Sequence, residues 1–280
     1  MNREDRKVGV AVGRQLPAIA RAVDAIVHAI RKGGRLIYVG AGTSGRLALL
    51  DATECPPTFG TSPKLVRALI AGGKHALTDA AEDSEDSSAN GARDLRRVKL
   101  TRKDVVVGIA ASGTTPYVLG AMEFVRKHGA MTVAVTSNHD TPLARLAKIA
   151  IVIEAGPEIL TGSTRLKAGT SQKLVLNMLS TAAMARLGHV YENLMIDVAL
   201  TNEKLLHRGL QILADASGKD LSAAGHALRQ SGHNMRVALV MLKLGVTAGE
   251  ARKKLTAVRE DLRRALDGAK NRKTGTTQKR

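Results

Sequence analysis

From Val8 to Ile30, apolar residues recur at helical spacing: Val8, Val12, Leu16, Ile19, Val23, Ile26, Val27 and Ile30 share one face. The pattern predicts a single helix over 8–32, stopped by Gly33-Gly34. The short apolar run "RLIYVG" then reads as a buried strand, followed by a glycine loop and a helix over "RLALLDAT". A second strand is expected in "KLVRALIAG", and a mixed polar or helical segment from Ala76 to Val98. "DVVVGIAASGTTPYVLGAMEFVRKHG" repeats the opening order of strand, small-residue loop and helix, ending at Gly129. "MTVAVTSNH" and "IAIVIEAG" are two more strands. Strands that alternate with helices pair in parallel, so the first part of the chain reads as an open, doubly wound α/β sheet.

Beyond Gly156 the pattern changes to helical stretches. "SQKLVLNMLSTAAMARLG" is one long helix, and "VYENLMIDVALTNEKLLHRGLQILADASG" is expected to continue helically. From Asp220 three short helices follow, "LSAAGHALRQSG", "NMRVALVMLKLG" and "TAGEARKKLTAVREDLRRAL". The division this suggests is a ligand-binding α/β domain over 1–210, a small helical C-terminal domain over 215–268, and a basic disordered tail over 269–280.

Composition narrows the classes. Aromatic residues make up 2% of the 280 and Trp is absent, so the core must be built from Ala, Val, Leu, Ile and Met. No apolar run approaches the ~20 residues of a membrane span, and the N-terminus has no apolar signal region. One Cys excludes an intrachain disulfide and fits a reducing compartment, so a cytoplasmic protein is expected. The net charge of +18 raises the question of nucleic acid. The cations are dispersed, however, and the aromatics that stack on bases are nearly missing. We expect no nucleic-acid or membrane partner. A salt-dependent contact through the basic tail is the weaker alternative.

Two loops carry candidate chemistry. "YVGAGTSGR" and "GIAASGTTP" each place small residues and adjacent hydroxyls where a strand gives way to a helix. Such junctions lie at the carboxyl edge of a parallel sheet, where backbone N–H groups favour an anion. Gly42, Thr43, Ser44, Ser112 and Thr115 are the candidate phosphate contacts. A dinucleotide would call for an acid at the end of the next strand, which instead ends "LIAGG". A triphosphate loop would call for Lys where Arg46 stands. Paired hydroxyls suit a phosphate monoester better. The competing reading is structural, with the glycines serving only close packing. In "LTGSTRLKAGT", Ser163 and Lys167 precede a helix and suit phosphate or carboxylate, or else an N-cap in a basic turn. The histidines show no ligand spacing, so no metal site is assigned, and Cys55 has no evident base partner.

"GGRLIYVGAGTSGRLALLDATECPPTFG", "VVVGIAASGTTPYV", "LTGSTRLKAGTSQKLVLNML" and "NLMIDVALTNEKL" resemble, in order, the N-acetylmuramic acid 6-phosphate etherase family of the sugar isomerase (SIS) fold. The resemblance runs from about Glu4 to about Leu266. It implies a homodimer, a phosphosugar substrate and a carbon–oxygen lyase activity that gives N-acetylglucosamine 6-phosphate and D-lactate in cell-wall amino sugar recycling. It implies no metal or organic cofactor. By the same resemblance Glu54, in "DATECPP", matches the family's proton donor, and Glu85, in "AAEDSEDS", its second catalytic glutamate. Glu82 is the alternative register for the latter, and the acidic run read alone is a solvated face. Glu54 is expected after the helix behind the loop, in apolar surroundings beside Pro56-Pro57 that would raise its pKa. Two departures stand out: Thr114 occupies a position where the family carries Arg, and the stretch before the first helix is shorter than the family's. A non-catalytic phosphosugar-binding regulator on the same fold is the alternative function.

Overall fold

Leu36–Gly40 (β1) and Val105–Ile109 (β3) are buried along their whole length, as strands at the centre of a sheet covered on both faces must be. The computed structural model describes residues 1–79, 82–258 and 261–267. With Val66–Ile70 (β2), Met131–Thr136 (β4) and Ile149–Val152 (β5) these strands form one parallel sheet in the order β2-β1-β3-β4-β5. The order reverses between β1 and β3, which creates a crevice at their carboxyl ends. Gly40 pairs with Ile109 at that end. At the other end Arg35 Nη2 meets the buried Asp104 Oδ2 at 2.7 Å, fixing the register of the same two strands.

Alternate side chains of the strands enter opposite layers. Ile37, Val39, Val106 and Ala134 share a core with helices Ser88–Arg97 (α4), Pro116–His128 (α5) and Pro142–Leu146 (α6). On the other face Leu16–Arg31 (α2) packs against β1, β3 and β5, and Tyr38 reaches Gly42–Phe59 (α3). The doubly wound α/β reading therefore holds.

Several boundaries differ from the sequence reading. The N-terminal helix is two: Asn2–Gly13 (α1) and α2. Pro17 explains the break, because it lacks an N–H and its ring crowds the carbonyl four residues back. α3 runs through Pro56 and Pro57 to Phe59 rather than stopping before Glu54. α6 was not anticipated, although Thr141 caps Ala144 N with Pro142 at the first helical position. Lys167–Arg186 (α7) begins four residues before the expected "SQKLV". The chain from His189 to Thr201 is not helical; it turns at Glu192 (φ +55) and bridges Tyr191 to Leu194.

By compactness the chain divides into two units: Met1–Cys55 with Thr61–Ala183, and Pro56–Gly60 with the chain from Met184 onward. The second holds Glu203–Ser217 (α8), Leu221–Gln230 (α9), Met235–Leu244 (α10), Ala248–Ala257 (α11) and Leu262–Asp267 (α12) around Leu213, Leu228, Leu239, Val240 and Leu255. Asn202, Asp220, Asn234 and Thr247 cap the first four of these helices. The last expected helix is two, α11 and α12. Residue 268 and the basic run 269–280 lie outside the described residues.

Candidate functional site

The first loop is shaped by its glycines. A Cβ on Gly40 would lie 2.8 Å from Gly45 N, and one on Gly45 would lie 2.5 Å from Ile70 Cγ1. These two positions serve close packing of α3 on the sheet. Gly42 differs: its φ is +50° and a Cβ there would meet open space. Thr43 and Ser44, half-buried, form the first turn of α3 with it. α7 lies across this turn. A Cβ on Gly169 would be 3.4 Å from Thr43 Cγ2, and Ser44 Oγ donates to Gln172 Oε1 at 2.9 Å.

The second loop leaves the neighbouring strand. Ser112 is exposed, and its Oγ accepts from Thr114 N at 3.2 Å and Thr114 Oγ1 at 3.0 Å. Neither bond uses its own hydrogen. Thr115 is the N-cap of α5 but makes no capping bond with its side chain. Because Gly40 pairs with Ile109, the two loops lie side by side at the switch point. A cleft of about 500 Å³ opens at the carboxyl ends of β3, β4 and β5, lined by Ser112, Asn138, Glu154, Glu158, Thr164 and Ala168. Thr43 and Ser44 are not among its walls; they meet the next turn of α7 instead.

The start of α7 already holds an anion. Glu158 accepts from Lys167 N and Ala168 N at 2.9 Å each, a carboxylate seated on the helix N-terminus. The Lys167 ammonium is buried and meets Glu4 Oε2 at 2.9 Å. Hydrogen bonds from Lys7 and Lys167 hold the Glu4 carboxyl down at about 2. Ser163 is half-buried and its carbonyl accepts from Leu166 N.

Of the two glutamates, Glu54 lies exposed on α3. The apolar surroundings expected for it belong to its neighbours Asp51 and Cys55, one turn apart on the buried side. Asp51 Oδ1 accepts from Asn177 Nδ2 (2.7 Å) and Ser180 Oγ (3.0 Å), and Oδ2 from Tyr38 Oη (2.9 Å). Burial pushes its carboxyl up, and those three donors offset only part of the rise. Burial, with Asp51 nearby, pushes the Cys55 thiol up to about 12, which makes it a packing residue rather than a nucleophile. Glu85 ends a 3-10 turn over Glu82–Glu85 and is half-buried, while Asp83 and Asp86 are exposed. Arg46 takes neither a phosphate-lysine role nor a free one. Its Nε donates to Ala76 O and its Nη2 to Asp79 O, fastening the segment that leads to Glu85 onto α3.

Gln172 and Asp51 escaped the sequence reading. Asp51 carried a signal, since it stands four residues before Cys55 on one helical face, where a buried acid needs donors. In the second unit Asp197 accepts from His189 Nδ1 and Arg236 Nε, each at 2.7 Å. Among the described residues no group of three or more His, Cys, Asp and Glu is arranged to hold a metal, and no helix is long and apolar enough to cross a membrane.

Comparison with known proteins places this fold in a family. The SIS domain model matches residues 87–182, and that of the glucokinase regulatory protein N-terminal SIS domain matches 18–126. N-acetylmuramic acid 6-phosphate etherase of Yersinia pestis (strain Pestoides F) is 54% identical over 266 residues, 95% of this chain and 90% of that protein. The chain belongs to the N-acetylmuramic acid 6-phosphate etherase family. The etherase of Yersinia pseudotuberculosis serotype O:1b (strain IP 31758) matches equally, at 54% over the same shares. Among solved structures, a Bacteroides fragilis NCTC 9343 protein described as a phosphosugar isomerase involved in capsule formation shares the fold. It does so at 23% identity and TM-score 0.50, over 67% of this chain and 90% of that one.

Proposed function

We propose that this protein cleaves the D-lactyl ether of N-acetylmuramic acid 6-phosphate, giving N-acetylglucosamine 6-phosphate and D-lactate. The observation that carries the proposal is the 54% identity, over nearly the whole chain, to proteins bearing that etherase name. The geometry agrees with it. Two hydroxyl loops beside each other at the switch point suit a phosphate monoester, with Gly42, Thr43, Ser44, Ser112 and Thr115 as its contacts. Ser163 and Lys167 flank them at α7, where binding would draw Lys167 away from Glu4.

In the open-chain sugar the C2 proton lies next to the C1 aldehyde and is acidic enough to remove. Glu85 takes that proton, Glu54 protonates the ether oxygen at C3, and the C3–O bond breaks to release lactate. Water then adds to C3 of the unsaturated aldehyde while C2 is reprotonated. This is general acid–base catalysis by two carboxyl groups, with no redox change. We further propose a cytoplasmic homodimer, supported by the single buried Cys55 and by the exposed apolar Val10, Leu16 and Leu50 of the first unit.

The match to the glucokinase regulatory protein domain favours one other reading, a phosphosugar-binding regulator without chemistry. Incubation with N-acetylmuramic acid 6-phosphate and an enzymatic lactate assay separates the two. Stoichiometric lactate release is expected; saturable binding with no lactate would establish the regulator instead.

A further inference from the structure

Gln172 is 1% exposed, yet only half of its amide is bonded. Oε1 accepts the Ser44 hydroxyl at 2.9 Å, while the buried Nε2 finds no hydrogen-bond partner among the described residues. A buried donor left unpaired costs as much as a lost hydrogen bond, and an apolar side chain would fill the space without that cost. The position is also specific to the loop. Gly169, one turn earlier, lets α7 lie against Thr43, so Gln172 is the polar side chain that meets the turn at Ser44.

The arrangement sets a puzzle for Ser44. A hydroxyl has one hydrogen, and here it is spent on Oε1. In that state Ser44 offers only lone pairs, and a phosphate also offers only acceptors, so the two repel. Turning the Gln172 amide over exchanges its oxygen and nitrogen in nearly the same space. Nε2 then donates to Ser44 Oγ, and the Ser44 hydrogen is free for an anion. The orphaned donor gains its partner, while the oxygen becomes the orphan and the Ser44 hydrogen loses its acceptor, so the turned state is favoured only when a phosphate oxygen supplies one. Terminal amide torsions have broad, two-fold profiles, so the turned amide is as good a rotamer as the original. Ser112 needs no such help, because Thr114 already donates to it twice.

We propose that Gln172 is a positioning residue, an amide that turns over to present the Ser44 hydroxyl to the substrate phosphate. This rests on the reading of the first loop as the phosphate site. It acts through Ser44, not on the reacting carbons.

The test is a cycle of Ser44→Ala, Gln172→Met and the double variant, titrated with N-acetylglucosamine 6-phosphate. Ser44→Ala is expected to raise Kd about ten-fold, and Gln172→Met roughly three- to ten-fold. The double variant should bind no more weakly than Ser44→Ala alone, because the amide works only through that hydroxyl. Turnover of Gln172→Met should show KM raised more than kcat is lowered, as for a lost contact remote from the chemistry. Additive losses would overturn the proposal, as would unchanged binding by Gln172→Met. Unchanged binding by Ser44→Ala would instead remove the phosphate-loop reading itself. A wild-type measurement covers the case of a misfolded variant. The Gln172 side-chain amide resonances should shift on adding N-acetylglucosamine 6-phosphate and stay put with N-acetylglucosamine; no shift with the phosphate would count against the turn.

Discussion

Arg46 Nη2 donates to the carbonyl of Asp79 at 2.9 Å, across 33 positions of sequence. A second bond, from Nε to Ala76 O at 3.0 Å, makes the grip two-point. The residue that breaks the triphosphate-loop pattern thus fastens the turn over 76–79, which precedes Glu85 in sequence, to the helix carrying Glu54. Arg46→Met should leave the sheet intact but loosen that segment. We predict kcat falls between about ten- and a hundred-fold, with a change of less than a few degrees in Tm. Circular dichroism melts beside a lactate assay check it; full turnover by the variant would show that the clamp does not matter to catalysis.

Removing either acid should stop chemistry while binding survives. Glu54→Gln and Glu85→Gln are each expected to lower lactate release by at least about a hundred-fold. Both should keep a wild-type Kd for N-acetylglucosamine 6-phosphate by calorimetry. Glu82→Gln should turn over normally, and a large loss there would shift the catalytic assignment to Glu82.

The Asp51 network is a stability feature. Asp51→Ala would strand Tyr38 Oη and Asn177 Nδ2 beneath α3 and leave Ser180 Oγ only its longer bond to Asn177 O. A loss of about 2–4 kcal/mol is expected from urea denaturation, since each donor left buried without an acceptor carries its full desolvation penalty. A variant within about 0.5 kcal/mol of wild type would mean that the network relaxes freely.

Asp197 gives a pH dependence in the second unit. Burial pushes its carboxyl up, but hydrogen bonds from His189 and Arg236 outweigh it and hold the carboxyl below its ordinary value. A depressed carboxyl stabilises the fold above its unfolded pKa, near 3.8, and the contribution disappears as pH falls through the lower folded value. Wild type should therefore lose stability below about pH 4. Arg236→Met should melt lower at pH 7 and narrow its gap to wild type as the acid range is entered. Parallel melting curves down to pH 3 would argue that the pair contributes nothing.

The strands were legible because each central one is a continuous apolar run with a glycine or hydroxyl loop behind it, as in "RLIYVG" and "DVVVGI". The helical caps Asn202, Asp220, Asn234 and Thr247 went unread, although each is of a residue type that favours that position. Periodicity alone failed where a local rule overrode it. Pro17 split the first helix, and the His189–Thr201 segment kept helical spacing while its shape came from the Glu192 turn and from the Asp197 bonds to His189 and Arg236. The two loops could be read, but not their neighbourhood. α7 is more than a hundred residues away in sequence, so its contacts through Gly169 and Gln172 have no local signal. Glu54 was placed in apolar surroundings from its proline neighbours, yet the helix turns it outward and sends Asp51 and Cys55 inward.

The central claim is elimination across C2 and C3 of a phosphosugar, and heavy-oxygen water tests it most directly. The protein is incubated with N-acetylmuramic acid 6-phosphate in that solvent, and both products are weighed by mass spectrometry. The account predicts one heavy oxygen at C3 of N-acetylglucosamine 6-phosphate and none in the 2-hydroxyl of lactate. A heavy oxygen in the lactate hydroxyl would mean that the other carbon–oxygen bond is cut, and would contradict it.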